Sequence, residues 1–358
     1  MRRFDYLFLK DSSIPASIFG KAVSIGSYRE MARNLAIEHP ANFSELERSA
    51  KLLSIKGSNA IEGIRTTDKR LESLADRLVE PIGHDEEEIA GYRDALSMIH
   101  DGYRDMNIDT ETILGLHRIM MSHTSEGGGR YKTSDNVIIE IDEHGNRCVH
   151  FRPLSHTETP AAMEQLVLAY VDAEQSGVYP LLLIPCFILD FLFIHPFADG
   201  NGRMSRLLTL LLYYRAGFDI GRYISFEERI DFTKDRYYDA LTRSSSGWHE
   251  QRNDYVPFIS YYLDTLFLCY RGLDRCFATV EGRRATKSNR VEAVVLNSLF
   301  PISKREIMSI LPDVSQTTVE ACLHRMLSEG TIEKRGTNRN ARYMRKSSAR
   351  IPIDPVRS

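Results

Sequence analysis

Between Tyr179 and Ile194 the chain is apolar at nearly every position, then turns abruptly polar through His195-Pro-Phe-Ala-Asp-Gly-Asn-Gly-Arg-Met-Ser-Arg206. A stretch with no polar face predicts a helix at the centre of a domain, wrapped by others. Beyond the turn, Met204, Leu207, Leu208, Leu211 and Leu212 recur at helical spacing until Gly217 supplies a stop. The polar turn is therefore a loop between two core helices, ending at the start of the second one. Gly200, Asn201 and Gly202 fall at the start of the second helix, where backbone N–H groups lack intrahelical partners and the dipole is positive. Such a corner attracts phosphate.

The side chains of the turn extend that reading. His195 titrates near neutral pH and can take a proton from an attacking hydroxyl. Asp199 is a hard oxygen ligand, and one carboxylate plus substrate phosphates is the usual way a protein holds Mg²⁺. Gly200 and Gly202 let a phosphate approach the backbone. Arg203 and Arg206 are three apart, on one helix face, and guanidinium suits phosphate oxygens. Each residue alone has an ordinary structural explanation. All of them within twelve positions point to transfer of a phosphorus-centred group from a nucleotide.

The segment resembles the signature of the Fic family, His-Pro-Phe-x-Asp/Glu-Gly-Asn-Gly-Arg-x-x-Arg, at every fixed position. The resemblance implies a mainly helical, Fic-type core that binds ATP with Mg²⁺ and moves AMP to a Ser, Thr or Tyr hydroxyl of a target protein. By that analogy His195 is the base and Asp199 the metal ligand. Gly200, Asn201, Gly202 and Arg203 hold the α- and β-phosphates, and Arg206 reaches the γ-phosphate. A phosphorylating branch of the family carries Lys at the second glycine, and Gly202 argues against it.

Two further segments fit the same family. Turn residues from Gly129 run into the β-branched Val137, Ile138 and Ile139, with a second arm near Cys148–Phe151, which predicts a small β-hairpin. It resembles the flap that clamps the target segment; Lys132 stands there where Arg is commoner. Tyr237 and Tyr238 resemble the residues on the adenosine side, with Ser245 where Asn is often found. The two tyrosines are equally readable as core.

Lys56-Gly-Ser-Asn-Ala-Ile-Glu-Gly63 places Ser58 and Glu62 one above the other on a helix, with Gly63 as a C-terminal stop. Read alone, this is an ordinary short helix ending in a solvated glutamate. It also resembles the family's inhibitory motif, Ser/Thr-x-x-x-Glu-Gly/Asn. The resemblance implies that Glu62 pairs with Arg206 and withholds it from the γ-phosphate.

Length predicts two or three domains among the 358 residues. Residues 1–85 form a helical region carrying the inhibitory motif, with helices over Tyr28–Glu38 and Ser44–Ile55, and residues 86–280 a catalytic core. Glu281–Arg290 reads as a polar, basic linker. Residues 291–347 follow as helix, helix from Ser303, turn, helix over Ser315–Glu329, and two strands about Thr337–Asn340. That order resembles a winged helix-turn-helix. Gln316, Thr317, Thr318 and Glu320 open its candidate recognition helix, and Lys334, Arg335, Arg339, Arg342, Arg345 and Lys346 lie along its wing. Such a unit meets DNA phosphates well, but winged helices serve protein contacts too.

A net charge of −3 argues against a bulk polyanion binder. Five cysteines without paired metal spacing suggest a reducing, cytoplasmic setting. Pro185 and Asp190 interrupt the longest apolar run, so no membrane partner is expected. A homodimer stays open. Three functions compete: a self-inhibited protein adenylyltransferase, a nucleic-acid-binding regulator with a nucleotide-sensing Fic core, and a bifunctional enzyme that also removes AMP.

Overall fold

The computed structural model describes residues 2–141, 147–281, 287–297, 302–311, 314–336 and 341–346. Two compact units divide the chain, Met1–Tyr270 and Arg271–Ser358.

The first unit is mainly helical. It runs α1 (Phe8–Asp11), α2 (Ala16–Glu38), α3 (Pro40–Ile61), α4 (Asp68–Ala75), α5 (Gly83–Gly102) and α6 (Thr110–Met120). An antiparallel hairpin follows, β1 (Ile138–Ile141) and β2 (Arg147–Phe151), paired Ile139 to Val149 with a register irregularity between Ile138 and Ile139. Then come α7 (Thr159–Gln175), α8 (Pro180–Ile194), α9 (Asn201–Arg215), α10 (Phe226–Phe232), α11 (Lys234–Ser245) and α12 (Val256–Glu281), the last crossing into the second unit.

At the centre of this unit sits α8, with every residue from Leu181 to Ile194 buried. It starts on Pro180, whose fixed φ suits a first helical turn, and it runs on through Pro185. Asp190 is fully buried within it, a position that demands hydrogen bonds. The Trp248 indole N–H donates to its Oδ1 at 2.7 Å, and the hydroxyls of Tyr6 and Tyr255 donate to Oδ2 at 2.8 Å. Arg2 stands 3.5 Å from Oδ1. Phe4, Tyr6 and Leu9 are also buried, so the N-terminal segment is part of this core. Among the described residues, no helix is long and apolar enough to cross a membrane.

In the N-terminal region the helices are longer than periodicity indicated. The helix expected over Ser44–Ile55 and the short one carrying Ser58 form a single helix, α3, of 22 residues. Gly57 lies inside it without breaking it, packed where a Cβ would lie 2.8 Å from the Glu228 backbone nitrogen. Gly63, at φ +85°, ends it, and the Gly63 and Ile64 N–H groups bind the carbonyls of Ala60 and Asn59.

The second unit continues with α13 (Lys287–Asn297), β3 (Ile302–Ser303), α14 (Lys304–Ile310), α15 (Gln316–Ser328), β4 (Ile332–Arg335) and β5 (Arg342–Arg345). The strands form one antiparallel sheet in the order β3-β5-β4. Val291, Val295, Ile307, Val319, Leu323 and Ile332 lie in its buried core. Ser315 caps α15, its Oγ accepting the Thr318 N–H. The helix, helix, helix, hairpin order expected from the sequence is present, with β3 as an unexpected third strand. The linker expected over Glu281–Arg290 is a correction: α12 extends to Glu281, and α13 already begins at Lys287, with Arg290 buried. Residues 282–286 and Arg339 lie outside the described residues.

Candidate active site

The polar turn forms where α8 must stop. His195 adopts the left-handed conformation at φ +51°, and its N–H closes the last turn of α8 on the Phe191 carbonyl at 3.0 Å. A side-chain-bearing residue there costs on the order of 1–2 kcal/mol. The turn is then pinned from within: Asn201 Oδ1 accepts the Phe197 N–H at 2.9 Å, and its amide donates to the Phe197 carbonyl at 2.8 Å. The Asn201 side chain is therefore turned into the loop. Gly200, at φ +79°, precedes the first residue of α9 as its N-cap, and a Cβ there would run into Met120. Gly202 has Glu62 Oε1 against the space its side chain would fill.

A cleft of about 330 Å³ opens over this corner, lined by Glu62, Glu88, His195, Asp199 and the Gly200–Arg203 turn. His195 Nδ1–H donates to the Leu192 carbonyl at 3.1 Å; because a carbonyl can only accept, Nε2 carries the free lone pair. Burial pushes this imidazole down to about 4, with nearby Lys132 acting in the same sense and Glu62 opposing it. At neutral pH it is an unprotonated base. Lys132 is itself buried and lowered to about 8 by that burial. Its Nζ donates to the Ile194 carbonyl at 3.2 Å and to Asn136 at 2.9 Å, and its backbone N–H binds the Pro196 carbonyl at 2.8 Å. The segment leading into β1 is thus fastened directly to the loop.

Arg203 is buried, with Nη2 donating to Glu88 Oε1 at 2.7 Å and to Asp199 Oδ2 at 3.1 Å. Its Nε and Nη1 are buried without a partner. Asp199 keeps a half-exposed carboxylate at the cleft.

Arg206 is held by α3. Its Nε donates to Ser58 Oγ at 2.8 Å, and its Nη2 to the Ser58 carbonyl at 2.9 Å and to Glu62 Oε1 at 2.6 Å. Although burial opposes charging, Glu62 holds the guanidinium above its usual range. Beneath this contact lies a polar network that periodicity could not reveal. Glu227 is fully buried and accepts from Ser54 Oγ at 2.8 Å and the Tyr92 hydroxyl at 3.0 Å, joining α3, α5 and α10. Burial pushes its carboxyl upward.

Tyr237 is 2% exposed and packs against Tyr238, Phe258 and Tyr261, with Arg206 and Glu62 close enough to perturb its hydroxyl. Tyr238 is 44% exposed, with Lys234 over its ring. Ser245 does not line the cleft; its hydroxyl donates to the Thr242 carbonyl within the last turn of α11. Val137 is exposed just ahead of β1, which carries Ile138 and Ile139.

Residues absent from the sequence reading complete the site. Glu88 carries no motif, and only the tertiary fold brings it to Arg203. His117 on α6 links Gly129 to Asp199 and stacks on Phe197 with ring centroids 3.7 Å apart.

The helical core thus places a glycine-bracketed helix N-terminus and an unprotonated histidine on one cleft. Residues 107–213 match the model of the Fic/DOC family. The chain is 30% identical over 122 residues to a Fido domain-containing protein of Dictyostelium discoideum, an overlap of 34% of this chain and 78% of that protein. It is also 26% identical over 235 residues to a protein adenylyltransferase Fic of Nematostella vectensis, covering 62% of this chain and 49% of that one. Among solved structures, a Fic family protein from Desulfovibrio desulfuricans superposes with a TM-score of 0.60 at 21% identity, over 95% of this chain and 99% of its own. A Fic domain containing signaling protein from Bacteroides thetaiotaomicron gives 0.58 at 23%, over 70% and 94%. The chain belongs to the Fic/DOC family. It spans about half the length, 49% and 42%, of two protein adenylyltransferases that it matches.

Proposed function

We propose that the protein is a self-inhibited adenylyltransferase that moves AMP from ATP to a Ser, Thr or Tyr hydroxyl of a protein target. The observation that carries this reading is the free Nε2 of His195 beside the open N-terminus of α9. The triphosphate lies on the N–H groups of Gly200, Asn201 and Gly202, with Arg203 anchored below them by Glu88. His195 Nε2 takes the proton of the target hydroxyl as its oxygen bonds to the α-phosphorus. The bond to the β-phosphate breaks, pyrophosphate leaves, and the imidazolium returns its proton to solvent.

The donors also suit Mg²⁺. A single exposed carboxylate, Asp199, faces the cleft, and one protein carboxylate plus phosphate oxygens is that ion's usual setting. When bound it would neutralise charge on the departing pyrophosphate. Asp199 is the residue that would hold it.

Self-inhibition rests on Glu62 and Arg206. With its guanidinium committed to Ser58 and Glu62, Arg206 cannot grip a γ-phosphate, and the Glu62 carboxylate repels one. Incubation with α-labelled ATP and Mg²⁺, followed by mass spectrometry of the labelled protein, tests the reading. An added mass of one AMP on a hydroxyl residue supports it; an added phosphate, or no label on any protein, rejects it.

The second unit bears on partners. Gln316 and Thr317 on α15, with Lys334, Arg335, Arg342 and Lys346 about the hairpin, are exposed. We propose that this face meets duplex DNA, with affinity falling steeply as salt rises.

A further inference from the structure

His117 lies outside every motif of the chain, yet it touches Gly129, Phe197 and Asp199 at once. It is buried on α6, its ring parallel to that of Phe197 within 11°. The Gly129 N–H donates to its Nδ1 at 3.0 Å, which leaves Nε2 as the protonated nitrogen, and Nε2–H donates to the Asp199 backbone carbonyl at 3.2 Å.

That second bond sets the direction of a third group. Peptide bonds here are trans, so the carbonyl of Asp199 and the N–H of Gly200 point in opposite directions from one rigid plane. With the carbonyl tied to His117, the Gly200 N–H points away from His117. The space a Gly200 Cβ would take is already filled by Met120, with His117 Nε2 3.7 Å away. The α6 side of Gly200 is thus closed, and the residue's open side lines the cleft. Through Gly129 the same ring holds the segment that reaches Lys132, whose backbone N–H binds the Pro196 carbonyl.

We propose that His117 is a positioning residue: its Nε2–H orients the Asp199–Gly200 peptide so that the Gly200 N–H faces the nucleotide phosphates, and its Nδ1 fixes the root of the β1–β2 hairpin to that loop. This rests on the nucleotide reading of the cleft. His117 touches no reacting atom. A mobile Gly200 peptide would weaken one charge-assisted hydrogen bond to phosphate without altering the base.

The test uses the full chain and two substitutions of similar size. His117→Gln can place an N–H near the former Nε2 and reach the Asp199 carbonyl; His117→Asn reaches only as far as the former Nδ1. With ATP and Mg²⁺ in calorimetry, and with α-label transfer as the kinetic readout, Gln should keep Kd and KM for ATP within about threefold of the native values. Asn should raise both by about tenfold. The dependence of kcat on pH, set by His195, should be the same in all three. Thermal melts of the two variants show whether stability separates them. Equal ATP affinity in two equally folded variants, or a shifted pH profile in Asn, overturns the role of His117. A native chain that binds no ATP instead overturns the nucleotide reading, before any variant is compared.

Discussion

Glu62 Oε1 sits 2.6 Å from Arg206 Nη2 and directly against the Cα face of Gly202, so one carboxylate oxygen occupies both the second arginine and the second glycine of the loop. Removing it should have a large effect. A charge-assisted pair that ATP must displace contributes about 1.5–3 kcal/mol. Glu62→Gly is therefore expected to raise label transfer, including self-labelling, by about tenfold to a hundredfold. Arg206→Ala in that background should cancel the gain, because both effects run through one guanidinium. Equal labelling by native protein and Glu62→Gly across an ATP titration would reject the inhibitory role.

His195→Ala should abolish transfer and leave ATP binding intact, since Nε2 acts on the target hydroxyl and not on the phosphates. A missing general base costs on the order of 10²–10⁴-fold. The acid limb of the native rate profile should fall as pH drops toward about 4, where the buried imidazole takes up its proton, and stay level between pH 6 and 8. A rate that halves near pH 6.5 would mean that His195 is solvated during turnover.

Burial also lowers His100, to about 3. An unfolded histidine titrates near 6.5, so between that value and the folded one the unfolded chain binds more protons. The neutral, buried form contributes its full stability above pH 6.5, and that contribution is lost as pH falls toward 3. The slope reaches at most about 1.4 kcal/mol per pH unit for one histidine. Comparing denaturant midpoints of native protein and His100→Gln from pH 7 to 4.5 isolates this residue: the variant should lose stability less steeply. Parallel curves would refute the assignment.

Arg203 and Glu88 form a buried pair, 2% and 5% exposed, so removing the cation alone leaves an uncompensated carboxylate. Arg203→Met should destabilise by about 3–5 kcal/mol. Adding Glu88→Gln should recover much of that stability but not ATP affinity, since the guanidinium is still missing from the phosphate loop. Recovery of both would make the pair purely structural.

Ending the chain at residue 286 should leave label transfer by the first unit unchanged, because every residue of the proposed chemistry lies before Tyr270. Loss of the cooperative melt in the shortened protein would show that the second unit is needed for folding.

Local pattern was enough for the α8–loop–α9 centre, because a fully apolar helix and a glycine-bracketed turn leave few alternatives. It was enough as well for Glu62 at the end of a helix, since Ser58, Glu62 and Gly63 are neighbours along the chain. It misjudged the extent of α3 and the linker at Lys287–Arg290, where polar residues read as solvated. In the structure Ser58 and Asn59 lie in a buried interface, and Arg290 is buried as well. Periodicity counts apolar faces and is blind to a helix face buried through hydroxyl contacts.

By itself the sequence determined which residues could meet phosphate and act as a base, because those roles depend on side-chain type and on spacing within one turn. Only the tertiary structure decided what surrounds them: Glu88 for Arg203, the Ser58 hydroxyl and carbonyl for Arg206, and His117 for the Asp199–Gly200 peptide. Those choices depend on groups from 82 to 148 positions apart being packed against one another, with buried polar atoms driven to find partners wherever the fold brings them.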